Sequence, residues 1–169
     1  MIRYCDNFLT ETELQSLFKI MPGLNYTLED ISPRGEFSFT SFQFVHELIK
    51  NGKVLSSPHY ELFKNLFLDK LDIRKCQRMR VCLHTHSHKV IEHGYHYDWY
   101  DIREGDVMNT AIFYFNTCDG YTKIKTEKGK TKKIESLENR IGIFPAHWLH
   151  TGTTTSNSQV RIILNIVYQ

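Results

Sequence analysis

From Cys76 to the C-terminus, apolar residues recur at every second position in short runs separated by turn residues, which excludes a helical bundle for more than half of the chain. In the first of these runs Met79, Val81, Leu83 and Thr85 face one way, and Arg78, Arg80, Cys82, His84 and His86 face the other. Further strands are expected at Tyr95–Trp99, Asn109–Asn116, Tyr121–Thr126, Lys130–Glu135, Arg140–Phe144 and Gln159–Tyr168. The last run is mainly apolar on both faces, as a central strand of a covered sheet should be.

The N-terminal part has a different period. Thr10-Glu11-Thr12-Glu13 has the form of a capping box, Leu14, Leu17, Phe18 and Met21 follow at helical spacing, and Pro22-Gly23 stops the pattern. Residues 24–36 carry turn signals such as Ser32-Pro33-Arg34-Gly35, and Phe37, Phe39, Phe42 and Phe44 then mark one or two short strands. Ser57-Pro58 opens a second helix over about 58–71, with Leu62, Phe63, Leu66, Phe67 and Leu71 as its apolar stripe. Two helices ahead of about seven strands give an α+β, mainly β class, with the helices backing one face of a β-sandwich or jelly roll. The 169 residues are expected to form one domain, with N-terminal support to about residue 75 and a β core over about 76–169.

Lys+Arg number 21 against 19 Asp+Glu, a net charge of +2 with no concentrated basic field, so nucleic acid is not an indicated partner. The lysines between Lys123 and Lys133 surround a Glu127-Lys128-Gly129-Lys130 turn and read as a solvated edge hairpin. No apolar run approaches the ~20 residues of a membrane helix, and no signal-peptide core follows Met1, so a soluble cytoplasmic protein is expected. The 4 cysteines form no Cys-x-x-Cys pair and read as reduced packing residues.

Chemistry concentrates in His93-Gly94-Tyr95-His96-Tyr97-Asp98-Trp99. Two positions apart on a strand, His96 and Asp98 share a face, and an imidazole and a carboxylate so placed can hold a cation. Alone, such a pair is more often a hydrogen-bonded couple than a metal site. A third candidate ligand, His147 or His150, lies in Phe144-Pro145-Ala146-His147-Trp148-Leu149-His150-Thr151-Gly152. Two histidines and a carboxylate on one face leave coordination positions open on a non-haem iron. Arg161, inside an apolar strand, needs an anionic partner.

Together these residues resemble the Fe(II)/2-oxoglutarate-dependent dioxygenases, and within them the prolyl-4-hydroxylase-like group that includes small bacterial and phage members. The likeness runs over about 76–169, with a looser one at Asp6-Asn7-Phe8-Leu9-Thr10. It implies a double-stranded β-helix with Fe(II) at its open end, held by His96, Asp98 and His150. In the same likeness Arg161 meets the distal carboxylate of 2-oxoglutarate, and Tyr114, in Ala111-Ile112-Phe113-Tyr114-Phe115-Asn116, reaches that carboxylate too. Between His147 and His150 the likeness selects His150, leaving His147 at the rim or in solvent. Asp119-Gly120-Tyr121-Thr122 is similar to the group's Gly-Gly-x-Thr turn with Tyr121 in place of the second glycine, so the local backbone and a role for Thr122 stay open.

The implied reaction uses O2 and 2-oxoglutarate to hydroxylate an unactivated C–H bond, releasing succinate and CO2. The implied partner is a peptide, such as a peptidyl proline, or a small molecule, met by a monomer or homodimer. His84, His86 and His88 are expected to line a polar loop near the site, and Trp99 and Tyr100 are candidate substrate contacts. Two rival readings remain: a cupin-like metal-dependent isomerase or lyase, which has no need of Arg161, and a non-catalytic jelly-roll binding module. A DNA-repair demethylase of the same superfamily fits less well, because the final strand carries one arginine rather than a spaced pair.

Overall fold

The structure is a computed structural model that describes residues 1–31, 41–99 and 107–169. Its elements, in chain order, are β1 (Arg3–Cys5), α1 (Glu11–Ile20), β2 (Thr27–Asp30), β3 (Phe42–Lys50), β4 (Lys53–Val54), α2 (Tyr60–Phe63, continued by a π-helical turn over Lys64–Asp69), β5 (Cys76–Thr85), β6 (Asn109–Tyr114), β7 (Tyr121–Lys125), β8 (Thr131–Glu135), β9 (Arg140–Pro145), β10 (His150–Thr151) and β11 (Val160–Tyr168). The expected Ser32–Gly35 turn, Phe37, Phe39 and Tyr100 lie outside the described residues.

The period-two runs pair into two antiparallel sheets. The larger has the order β1-β9-β6-β11-β5-β3-β2, with β4 on β3, and the smaller has the order β10-β7-β8. β11 sits between β5 and β6, the central place that its two apolar faces require. One of those faces, with Leu164 and Ile166, joins Met79 and Val81 of β5 and Phe113 of β6 under α1 and α2. Leu14 and Leu17 of α1 and Phe63 and Phe67 of the second helix complete that layer, with the Phe67 and Phe113 rings 5.0 Å apart, edge to face. The opposite face carries Ile163, Ile112, Val45 and Cys82 toward Ile124 of β7 and Ile134 of β8, so the small sheet closes over the large one. The helices therefore back the large sheet on one side, and the functional side chains fall on the other.

The lysine-rich hairpin is β7–β8, and Lys132 and Lys133 stand exposed on β8, an edge strand of the small sheet, where charge discourages pairing with another chain. Among the described residues no helix is long and apolar enough to cross a membrane, and all 4 cysteines are free thiols.

Three expectations need correction. The second helix is one α-turn followed by a π-helical turn, because Leu66, Phe67 and Leu68 are consecutive yet all buried, and the wider turn brings all three to one side. Tyr95–Trp99 is not a strand: His96 makes an isolated bridge to His150, and Asp98 N then donates to Ala146 O rather than pairing with Trp148, which breaks the register a ladder needs. β3 is a nine-residue strand rather than one or two short ones, since Val45, Leu48 and Ile49 continue it past Phe44.

The capping box at Thr10 is formed. The Thr10 hydroxyl accepts from the Glu13 N–H at 3.4 Å, and the Glu13 carboxylate accepts from the Thr10 N–H at 2.8 Å and pairs with Lys70 at 2.7 Å. Thr10→Ala should lower unfolding free energy by ~1 kcal/mol. The measurement is the urea midpoint, which should fall with the slope unchanged.

Candidate active site

Two extended segments, His93–Trp99 and Ala146–Gly152, lie against each other and bring together residues distant in sequence. His93 N donates to Gly152 O at 3.0 Å, His96 and His150 exchange both backbone bonds at 2.9 and 3.0 Å, and Asp98 N donates to Ala146 O at 3.1 Å. His96, Asp98 and His150 converge as a result, and one ligand atom from each lies within 4.8 Å of the others. His150 Nε2 is 3.4 Å from Asp98 Oδ2, and His96 Nε2 is 3.7 Å from Asp98 Oδ1.

Both imidazoles present the same nitrogen. Nδ1 of His150 faces the Trp148 carbonyl at 3.0 Å, and Nδ1 of His96 faces the Gly94 carbonyl at 3.3 Å. A carbonyl only accepts, so each ring places its proton on Nδ1 and leaves the Nε2 lone pair facing Asp98. The Phe144 ring meets the His150 ring edge to face at 4.9 Å and restrains its plane.

Three residues that sequence reasoning did not assign hold the carboxylate. Thr110 Oγ1 donates to Asp98 Oδ2 at 2.8 Å, Asn165 Nδ2 donates to the same oxygen at 3.2 Å, and Arg78 Nη2 donates to Oδ1. Arg78 Nε also donates to Asn165 Oδ1 at 3.1 Å, so the three form one network. Their signal was present as polar residues on inward faces of β5, β6 and β11, although sequence does not say which strands are neighbours. Burial alone would raise the Asp98 pKa, but the charge of the Arg78 guanidinium beside it overrides this and holds the carboxyl well below its ordinary value. The site therefore presents an ionised acid and two imidazole lone pairs, a donor set suited to a divalent iron.

Arg161, from the inward face of β11, is fully buried. Its Nε donates to Ser136 Oγ at 2.8 Å, Nη2 to Thr122 Oγ1 at 3.2 Å and Nη1 to the Thr153 carbonyl at 3.4 Å, and no carboxylate pairs with it among the described residues. Burial pulls its pKa down, yet an arginine stays charged in proteins, so this is a buried cation held by neutral groups. Tyr114 is also fully buried, and its hydroxyl donates to Thr122 Oγ1 at 2.8 Å. Thr122 and Gly152 border the cavity that also holds His96, Asp98 and His150. Gly120 has a steric reason to be glycine, since a Cβ there would fall 2.5 Å from Arg161 Cδ and 2.8 Å from the Thr154 carbonyl. Beside it, the Asp119 carboxylate accepts from the hydroxyls of Thr155 and Ser156.

His147 keeps to the rim, with Nε2 3.4 Å from Glu127 Oε1. Trp99 is half-buried against Met108, Ala146 and Val167, and borders a second, polar groove beside Asp98. His86 is partnered by the Ser158 carbonyl at 3.1 Å. His84 instead turns into the cavity, where it meets His93, a residue that the sequence did not single out. Burial, reinforced by Arg161, holds His84 well below its ordinary pKa and pushes His93 down to about 4. The folded protein thus refuses protons that its unfolded chain accepts below the ordinary histidine value of ~6.5. Stability of the metal-free protein should fall as pH drops from ~6.5 toward ~4, by up to ~1.4 kcal/mol per pH unit for each of these histidines. Urea unfolding at stepped pH measures it, and a flat profile between pH 7 and 5 contradicts the neutral assignment.

No protein-family model matches the chain, and no curated protein does. Among solved structures, it is similar to an oxidoreductase of the 2OG-Fe(II) oxygenase family from Burkholderia pseudomallei, at 12% identity and a TM-score of 0.74 over 99% of this chain and 84% of that one. It is also similar to a Trichoplax adhaerens prolyl hydroxylase in complex with a hypoxia inducible factor peptide fragment, at 12% identity and a TM-score of 0.68 over 99% and 82%. A non-heme alpha ketoglutarate dependent epimerase from nogalamycin biosynthesis matches at 10% identity and a TM-score of 0.69 over 99% and 77%. The chain has the fold of the 2-oxoglutarate/Fe(II) oxygenases, prolyl hydroxylases among them.

Proposed function

We propose that this chain is an Fe(II)- and 2-oxoglutarate-dependent oxygenase, built as a single domain over 1–169 on a double-stranded β-helix whose two walls are the large and small sheets. The observation that carries the reading is the convergence of His96, Asp98 and His150, with both Nε2 lone pairs turned toward the carboxylate. These residues would hold Fe(II), which supplies the redox chemistry by which O2 and 2-oxoglutarate become succinate and CO2 with one oxygen atom inserted into a substrate C–H bond. Arg161 would bind the distal carboxylate of 2-oxoglutarate through its planar fork, with Thr122 beside it. Tyr114 would act on that carboxylate by fixing the Thr122 hydroxyl. Arg78, Thr110 and Asn165 would keep Asp98 ionised and aimed at the metal.

For the substrate we propose a peptide side chain, such as a peptidyl proline, reached from the polar groove beside Trp99. The support is the likeness in fold to a prolyl hydroxylase solved with a peptide. Likeness to an epimerase that shares the cosubstrate keeps the outcome at substrate carbon a separate measurement. Anaerobic addition of Fe(II) and 2-oxoglutarate to metal-free protein should produce the weak visible charge-transfer band of a chelated keto acid. Aerobic turnover should release succinate, and a peptide and metabolite screen should reveal a gain of one oxygen by mass. A folded protein that gives neither band nor succinate overturns the reading. Metal binding without succinate would instead favour a cupin-like isomerase or lyase, and binding of neither metal nor keto acid a non-catalytic module.

A further inference from the structure

The cavity contains two buried imidazoles that the site described above does not use. His84 is the register partner of Arg161 across the β5–β11 ladder, so the two side chains project from one face into the same space. His93 is tied to the β10 segment by its N–H to the Gly152 carbonyl at 3.0 Å and by the Thr151 hydroxyl donating to its carbonyl at 2.6 Å. Its ring stacks on that of His84, with centroids 5.2 Å apart and planes inclined by 28°. His84 is 4% and His93 9% exposed, yet Nδ1 of His84 and both ring nitrogens of His93 have no hydrogen-bond partner among the described residues.

Buried polar atoms are rarely left without partners, so the chemistry of an occupant can be read from what surrounds them. A cation is repelled by the Arg161 guanidinium. An apolar group leaves every ring nitrogen unmet. A carboxylate is attracted by Arg161 and has several lone pairs to offer to N–H donors. Each neutral imidazole carries one such donor, and because no protein group fixes the tautomer, either nitrogen can present it.

We propose that His84 and His93 are specificity-determining residues for the cosubstrate, donating ring N–H groups to the remote carboxylate of a 2-oxo diacid held by Arg161. The proposal rests on the oxygenase reading and deepens it. The family likeness assigns this carboxylate to Arg161 and Tyr114, but the Tyr114 hydroxyl is committed to Thr122, and the two imidazoles supply donors in its place. Affinity then depends on the second carboxylate, and 2-oxo monoacids, which chelate equally well but lack it, bind weakly.

The test compares 2-oxoglutarate with 2-oxobutyrate by calorimetry on the Ni(II)-loaded protein, in wild type, His84→Phe and His93→Phe. Each substitution should weaken 2-oxoglutarate binding about 10- to 100-fold, the range for hydrogen bonds to charged groups, and leave 2-oxobutyrate unchanged. His84→Asn and His93→Asn, which keep an N–H donor, should restore most of the loss. In metal-free wild type, glutarate should shift the ring ¹⁵N resonances of both histidines, a readout independent of any variant's folding. Equal losses for both acids, no loss, or unshifted ring signals overturn the proposal. Wild type that binds no keto acid overturns the oxygenase reading itself, whereas wild-type binding that survives both phenylalanine variants overturns only this inference.

Discussion

Asp98→Ala should reduce divalent metal affinity by more than about 100-fold, because loss even of a group that only orients a ligand costs 10–100-fold and Asp98 is itself a proposed ligand. The substitution also strands Arg78, whose Nη2 donates to Asp98 Oδ1, and removes the acceptor of Thr110 and Asn165. Breaking one side of a buried pair costs ~3–5 kcal/mol, a ceiling here because the Arg78 side chain keeps 24% exposure. Two losses are therefore expected together, one in metal binding and one in stability, and Asp98→Asn separates them. Asparagine preserves shape and one carbonyl acceptor but removes the charge, so its stability should approach wild type while metal affinity stays low. Titration with Fe(II) or Ni(II) under anaerobic conditions, beside urea unfolding of the metal-free proteins, measures both. Wild-type metal content in Asp98→Ala would remove Asp98 from the ligand set and with it the basis of the proposed chemistry.

The sequence showed which faces exist but not which faces meet. Alternation over Arg78–His86 assigned both sides of β5 as they stand, and the doubly apolar Gln159–Tyr168 run assigned β11 its central place, because burial on each face leaves a side-chain period that can be read locally. β1, β4 and β10 are two or three residues long and are defined by backbone pairing, which leaves no side-chain period to read. The expectation of a strand at Tyr95–Trp99 failed for the same reason in reverse: alternating polarity was present, but the backbone of His96 bridges to His150 alone. At the site, the proposed ligands were marked by residue type, whereas Arg78, Thr110, Asn165 and His93 acquire their roles only from neighbours contributed by other strands or loops. Asn165 illustrates the limit, since it looks like an exception in an apolar run until β6 and β5 place Thr110 and Arg78 beside the same carboxylate.

Arg161→Met should leave metal affinity near wild type and raise the dissociation constant for 2-oxoglutarate by about 150- to 4,000-fold. The separation follows from position: Asp98 and its network stand at the proposed metal end of the cavity, and Arg161 meets Thr122, Ser136 and Thr153 without touching any of the three proposed ligands. A carboxylate transferred from water into a buried site without its cation loses the ~3–5 kcal/mol that a broken buried pair costs, which corresponds to this fold-change. The methionine side chain fills much of the same volume and buries no charge, so stability of the metal-free variant should change less than its ligand affinity, although Ser136 and Thr122 each lose a donor. Arg161→Lys should fall between the two, because an ammonium keeps the charge but not the planar fork. Calorimetry with 2-oxoglutarate on Ni(II)-loaded protein reads the affinity, and metal titration reads the other end. If Arg161→Met lost metal and 2-oxoglutarate binding in parallel, the guanidinium would be a structural post between the sheets rather than the receptor for an anion, and the buried charge would need a different explanation.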